Sequence, residues 1–303
     1  MSFRVHILGC GSATPTLRHA PSSQVIETQG GTYMIDCGEG TQMQLRRNRL
    51  SFQQLKAVFI SHTHGDHCLG LVPMLSSYAL VGRTRLLHLF APAHYQQLFQ
   101  VEMEAYCPVP GFEIIFHGID TKQHALIYED NSMMVTTLPL EHRVPCCGFL
   151  FQQKPKLPHI RRDMIDILNI PVSQINTIKN GAGWTEENGT FYSHEQLTKP
   201  AEPPKAYAYC ADTKYIPHLA DWIQEVDLLY HEATYADDHE LNAERYYHST
   251  ARQAAKIAVQ ANAKQLMLGH FSARYTNDNV LLNEACEIFP NTMLADENMI
   301  VDV

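Results

Sequence analysis

Short apolar stretches recur along this chain, each broken by polar, glycine- or proline-bearing residues. They read RVHILG, TYMIDCG, KAVFIS, LLHLFAP, FEIIFHG, MMVTTLPL, AYAYCAD, DLLYHEA and KQLMLGH. Their richness in Val, Ile, Leu, Tyr and Phe, with Gly, Asp, His or Pro at most ends, predicts strands closed by turn-forming residues. Helical spacing appears between them, in GTQMQLRRNRL and in STARQAAKIAVQANA. In the second, Ala254, Ile257, Ala258 and Ala261 share one face and Ser249 is the expected N-cap. Interleaved strands and helices predict an α/β protein with helices layered over sheet surfaces. Residues 152–204 break the rhythm with scattered Pro and Gly and little strand pattern, so they are expected to leave the main body as an insertion.

Composition narrows this picture. A chain of 303 residues suffices for one large domain or two ordinary ones. Its 45% hydrophobic and 18% charged residues are those of a folded globular protein. No apolar run approaches the ~20 residues that span a bilayer, so no membrane association is expected. The opening MSFRVHILGCGSATPT enters a strand pattern without a signal-peptide layout, and the expected location is cytoplasmic. Eight scattered cysteines without a CxxC pair read as reduced, mostly core thiols. The formal charge of −9 disfavours nucleic acid as a partner, with a local exception. Between Gln152 and Gly181, Lys154, Lys156, Arg161, Arg162 and Lys179 outnumber Asp163 and Asp166, giving +3 and leaving −12 elsewhere.

The candidate chemistry begins at SHTHGDH, Ser61 to His67, directly after the apolar run Ala57–Ile60. Imidazole and carboxylate together suit zinc and similar transition metals. Other candidate ligands also follow apolar runs: His142 after MMVTTLPLE, Asp212 at the end of AYAYCAD, and His270 at the end of LMLGH. One histidine at a strand end is ordinarily solvated or capped, but HxHxDH has few structural reasons to exist. With His62, His64, Asp66 and His67 these make seven ligands, enough for two metals sharing one carboxylate.

The motifs LGCGSATPT, IDCGEGTQMQL, ISHTHGDHCLGL, EHRVPCCGF, YCADT, LLYHEATY, YHSTARQAA and GHFSARY, in this order, resemble the ribonuclease Z family of the metallo-β-lactamase superfamily. The resemblance covers nearly the whole chain. It implies an αββα sandwich, one metallo-β-lactamase-type domain over 1–303, with a protruding, flexible tRNA-binding arm at 152–200. It also implies two Zn2+ per subunit, with Mn2+ or another divalent ion as a substitute. His62, His64 and His142 would hold one, Asp66, His67 and His270 the other, and Asp212 would bridge them. The implied activity is endonucleolytic removal of 3′ trailers from precursor tRNA, after the discriminator nucleotide, by a homodimer. The cut leaves a 3′-hydroxyl on the tRNA and a 5′-phosphate on the trailer.

Two metals can clamp both the attacking and leaving oxygens of a phosphodiester and acidify bound water. The family counterpart of Asp66 orients or deprotonates the nucleophile. His248 in YYHST is the expected general acid and Glu232 in HEAT its orienting carboxylate, although Glu232 could instead serve a helix N-terminus. His231 alternates to the other strand face and reads as structural. Ser272 and Arg274 in GHFSARY are candidate substrate contacts, as are Lys154, Lys156, Arg161, Arg162 and Lys179 in the arm. There NIPVSQINTIKNGAGW stands in place of the family's Gly-Pro-rich tip. The RRNR run, Arg46 to Arg49, reads as a solvated helix face or a site for RNA or a partner subunit. Gly9 and Gly11 lack the third glycine of a dinucleotide loop and read as a tight turn beside the metals. Competing classes are another hydrolase of the superfamily (a thioester hydrolase, a lactonase or a broad phosphodiesterase), a non-catalytic RNA-binding scaffold, and a structural zinc protein.

Overall fold

The computed structural model describes residues 3–303. Contacts divide the chain into two units, one formed by the residues up to Gln152 together with Lys205–Val303, the other by Gln153–Pro204.

The first unit holds two seven-stranded sheets. In one, the order is Ile300–Asp302, Phe3–Gly9, Ser23–Thr28, Gly31–Ile35, Leu55–Phe59, Leu87–Pro92, Ile114–Ile119; pairing is antiparallel as far as Gly31–Ile35 and parallel beyond it. In the other, the order is Thr292–Leu294, Leu266–Gly269, Leu228–Glu232, Ala206–Cys210, Cys147–Gln153, Met133–Pro139, Leu126–Glu129. Its first four strands are parallel.

Side chains alternate across a strand, and here both faces of the first sheet are buried. Val5, Ile7, Tyr33, Ile35, Ala57 and Phe59 join the core shared with the second sheet, while Leu8, Val25, Met34, Val58 and Ile60 pack with residues of the helices Leu71–Leu80 and Gln96–Tyr106. This double burial is why KAVFIS is continuously apolar. Phe59 lies 5.5 Å from Phe149 and 5.3 Å from Phe151, ring centre to ring centre, closing the space between the sheets. Helix Ala251–Gln260 adds Ala254, Ile257 and Ala258 to the same core. The layers are therefore αββα.

All nine expected strands are present. Five more complete the two seven-stranded sheets, Ser23–Thr28, Leu126–Glu129, Cys147–Gln153, Thr292–Leu294 and Ile300–Asp302. The last has three residues and is defined by pairing with Arg4–His6, far away in sequence. Helix Leu71–Leu80 is apolar on most sides, which hides its period. The expected cap at Ser249 is corrected by one residue: Thr250 caps the helix, its Oγ1 accepting from Gln253 N while the Gln253 side chain returns to Thr250 N. Ser249 points elsewhere, donating to the Thr213 carbonyl at 2.8 Å. All eight cysteines are free, and all but Cys286 are buried.

The second unit is folded around Leu168, Ile170, Ile178 and Leu197. It contains helices Arg162–Ile167, Val172–Lys179 and His194–Leu197 and two short strand pairs. The expected positive charge does not extend over the unit. Lys154, Lys156, Arg161, Arg162, Lys179 and Lys199 are matched in number by Asp163, Asp166, Glu186, Glu187, Glu195 and Glu202, so Gln153–Pro204 carries no net charge. The acidic half lies just beyond the stretch whose charge stood out.

Replacing Thr250 by Ala removes the capping oxygen while leaving the buried apolar face of its helix intact. It should lower unfolding stability by about 1 kcal/mol in urea titration, without changing the denaturant slope.

Candidate metal centre

Function in α/β sheets gathers beyond the carboxyl ends of strands, and here four strand ends converge. His62 and His64 follow Leu55–Phe59, and Asp66 and His67 sit on the single turn Gly65–Cys68. His142 follows Met133–Pro139, Asp212 follows Ala206–Cys210, and His270 follows Leu266–Gly269.

The seven side chains form two groups. His64 Nδ1 lies 3.0 Å from His62 Nε2 and 3.1 Å from His142 Nε2, and Asp212 Oδ2 is 3.7 and 3.8 Å from those two Nε2 atoms. In the second group His67 Nε2 and His270 Nε2 are 3.4 Å apart, Asp66 Oδ2 is 3.5 Å from each, and Asp212 Oδ1 is 3.5 and 3.1 Å from them. Ligands around a tetrahedral ion with bonds of ~2.0–2.1 Å stand about 3.3 Å apart, so both groups fit a small transition metal. Asp212 turns one oxygen to each group. Its Oδ1 is buried without a hydrogen-bond partner in the protein, as expected of an atom reserved for a cation.

In the first group the protonation states agree with ligation. Burial, then the neighbouring histidines, pushes His62 well below its ordinary pKa; burial and His142 lower His64, and burial is the main cause at His142. Neutral imidazoles keep a lone pair for a metal. Burial alone would also lower His67, but Asp212, Asp36 and Asp66 outweigh it and raise the value. Burial likewise disfavours the Asp66 carboxylate, yet His67 and His270 hold it far below the usual carboxylate range.

A second layer fixes which ring nitrogen faces the centre. His62 Nδ1 meets Ser61 Oγ at 3.0 Å, His67 Nδ1 meets Asp36 at 2.7 Å, His142 Nδ1 meets the Tyr247 carbonyl at 2.9 Å, and His270 Nδ1 meets Thr234 Oγ1 at 2.9 Å. Asp36, fully buried, also accepts from Ser61 N, Ser61 Oγ and Tyr209 Oη. Sequence reasoning missed Asp36, although in TYMIDCG it ends a strand as Asp212 does. It likewise missed Thr234 and Ser61.

His248 stands beside both groups, its ring 5.1 Å from His142 and 5.4 Å from His270. Its Nδ1 is 3.0 Å from Glu232 Oε1. Burial pulls the imidazole down, but the Glu232 carboxylate outweighs it and raises the pKa to about 9. Glu232 accepts as well from Thr213 N, Thr234 Oγ1 and Ser249 N, so it both holds His248 and serves the turn before the helix. His231 faces away and bonds only its neighbour's carbonyl through Nδ1.

These groups open into a cavity of about 560 Å3, also lined by Arg143, Tyr235 and Tyr246. Arg143 lies 4.8 Å over Tyr246 and Arg274 5.0 Å over Tyr235, two more contacts the motifs did not reveal. Arg274 itself is exposed, and Ser272 Oγ accepts from its backbone N–H. Lys154, Lys156, Arg161, Arg162 and Lys179 are carried by the second unit, where Arg161 pairs with Asp163 at 2.6 Å. The Arg46–Arg49 run is an exposed helix end, with Arg46 over Phe52.

The expected turn at Gly9 and Gly11 is corrected: Gly9 ends the strand Phe3–Gly9 and Gly11 bridges Pro21 and Phe271. A Cβ on Gly9 would collide with the Pro21 carbonyl oxygen, and the loop after Gly11 brings Ala13 N within 2.7 Å of Asp66 Oδ2. Behind it, buried His19 lies 3.0 Å from Asp278 through Nε2 and 3.0 Å from Glu297 through Nδ1, and Glu297 also accepts from Ala20 N. Burial alone would lower the His19 pKa; the two carboxylates raise it to about 9.

Comparison with known proteins places the chain among relatives of one kind. It is 48% identical to the ribonuclease Z of Bacteroides fragilis strain YCH46 over 99% of both chains. It is 50% identical to that of Bacteroides thetaiotaomicron, over 99% of this chain and 95% of the relative. Residues 3–154 match the family described as anti-Pycsar protein Apyc1, and residues 198–271 the β-lactamase superfamily domain. The fold superimposes on human tRNase Z, short form, with TM-score 0.69 at 22% identity over 99% of each chain. It also superimposes on the metallo-β-lactamase fold protein YhfI of Bacillus subtilis, with TM-score 0.69 at 17% identity over the whole of both.

Because the folded-state pKa of His19 exceeds the unfolded value near 6.5, its two ion pairs stabilise fully below that pH and fade as pH rises through about 9. The Tm difference between the wild-type chain and His19→Gln should therefore shrink steadily from pH 6 to pH 10. A constant difference would contradict a charged His19.

Proposed function

This chain belongs to the ribonuclease Z family, and we propose how its own side chains remove 3′ trailers from tRNA precursors. The protein is a metal-dependent endoribonuclease that cuts after the discriminator nucleotide, leaving a 3′-hydroxyl on the tRNA and a 5′-phosphate on the trailer. We read the centre as two zinc ions, replaceable by manganese. His62, His64 and His142 would hold one, Asp66, His67 and His270 the other, with Asp212 between them. The observation that carries this reading is Asp212, whose two oxygens face two different ligand groups.

When bound, the two ions supply positive charge for the phosphodiester oxygens and acidify the attacking water. Asp66, anchored by Ala13 N–H, orients that water. Glu232 holds His248 through Nδ1, which leaves Nε2 to give its proton to the departing 3′-oxygen as the O3′–P bond breaks. The oxygen leaves as a hydroxyl and the phosphate stays with the trailer. Arg143, Arg274, Tyr235 and Tyr246 flank this point and can hold the nucleotides around it.

The Gln153–Pro204 unit fits the role of an arm that takes the tRNA body, and the active form would be a cytoplasmic homodimer. Independent hydrophobic packing supports a separate arm. With no net charge, its grip depends on how Lys154, Lys156, Arg161, Arg162 and Lys179 are presented. Among the described residues no helix is long and apolar enough to cross a membrane.

A 3′-extended tRNA transcript should be cut after the discriminator, and a chelator should abolish the cut. His248→Ala should lower kcat on the order of 10²- to 10⁴-fold while pre-tRNA binding stays within a few-fold. An uncut transcript with fully metal-loaded protein would sink the reading. Glu232→Gln should move the alkaline limb of the kcat–pH profile to lower pH, because His248, raised to about 9 by Glu232, falls back towards its ordinary value. An unmoved limb would exclude His248 as the acid.

A further inference from the structure

A second cavity of about 600 Å3 adjoins the metal pocket, and His142 and Arg143 line both. Its wall carries Trp222, with the His124 ring stacked parallel at 5.2 Å and the His218 ring edge-on at 5.3 Å. The platform is fixed before anything binds. Trp222 is packed on the main core and His124 Nδ1 meets the Thr137 carbonyl at 2.8 Å. Lys122 and Arg143 add positive charge, while Glu141, the acidic side chain on this wall, is paired with Lys214 at 2.6 Å.

Trp222, His124, His218 and Lys122 serve neither the ligand groups nor His248, and they lie outside the motifs of the sequence. Aromatic faces beside cations are what single-stranded nucleic acid uses: bases stack on rings and phosphates lie against Lys and Arg, with little sequence preference. The cavity is of ligand size and continuous with the point of cleavage. We propose that this groove binds the single-stranded RNA on the trailer side of the scissile phosphate, one base stacking on the Trp222–His124 platform while Arg143 and Lys122 contact the backbone. The trailer is the matching occupant because it is unpaired. Its bases can turn out of a stack, whereas the acceptor side continues into a duplex end. The inference rests on the tRNA-processing reading above for the identity of the RNA, but not for the stacking itself.

The chain has two tryptophans, so in a Trp184→Phe background Trp222 alone reports. The metal-loaded protein is titrated with a 5′-phosphorylated uridine trinucleotide and with the same ribose-phosphate backbone lacking bases. The expected result is saturable quenching by the first and none by the second, with apparent affinity at least 5-fold weaker in His124→Ala and in Lys122→Ala. Both of those side chains are exposed, so folding is not at stake. In parallel, pre-tRNAs with trailers of one, two and four nucleotides are cleaved. Lengthening should raise kcat/KM on the order of 5- to 100-fold in the wild type and much less in Trp222→Leu or His124→Ala. Cleavage without base-dependent quenching overturns the groove and leaves the tRNA reading intact. Quenching with no cleavage of any precursor keeps the groove and overturns that reading. Equal length dependence in the wild type and both variants overturns the trailer assignment.

Discussion

Burying several charged groups together around the strand ends is the constraint on which this molecule depends. Asp36, His62, His67 and Glu232 have no exposed surface, and Asp212 and His270 almost none. An isolated buried carboxylate or imidazolium costs several kcal/mol, so each must find partners or a cation. Asp36 satisfies this with four donors drawn from the loop after Leu55–Phe59, from its short helix and from the facing sheet. Glu232 does the same with four donors from three segments. These two carboxylates tie separate strand ends into one rigid rim. Asp212, with one oxygen unsatisfied by protein, is the exception that makes the rim a receptor for metal.

The division of labour follows from that rim. Hydrogen bonds to Ser61, Asp36, Tyr247 and Thr234 each fix one nitrogen of a ring and so choose the nitrogen presented to the centre. His64 alone turns Nδ1 inward. The segment between Gly9 and Pro21 adds a backbone donor to Asp66, and the His19 ion pairs with Asp278 and Glu297 hold it from behind. Residues remote from the chemistry thus set distances at which a change of a few tenths of an ångström matters.

Charge distribution places a separate limit on substrate binding. The Gln153–Pro204 unit is neutral, so the −9 of the chain belongs to the unit that holds the metal centre. A polyanionic substrate is not drawn there by net attraction. It must be held by local cations, by stacking and by the metals. Arg143 on Tyr246 and Arg274 on Tyr235 are such local devices, since an arginine over an aromatic ring keeps its charge while its plane is positioned.

The sequence by itself determined the strands that are apolar on both faces, the seven candidate ligands and the His248–Glu232 pair. Double burial leaves continuous runs such as KAVFIS, and ligands concentrate at strand ends, where a short motif is contiguous. It placed Gly9 and Gly11 beside the site but in a turn, whereas Gly9 ends a strand where only a residue without Cβ tolerates the Pro21 carbonyl. What it could not supply was anything assembled from distant segments by pairing. Ile300–Asp302 is a strand only because Arg4–His6 lies beside it, and Thr250 rather than Ser249 caps its helix because Ser249 is drawn to the Thr213 carbonyl. The roles of Asp36, Arg143 and the Trp222–His124 stack were equally hidden. A side chain's role there depends on which other chain segment faces it, and only the closed tertiary structure decides that.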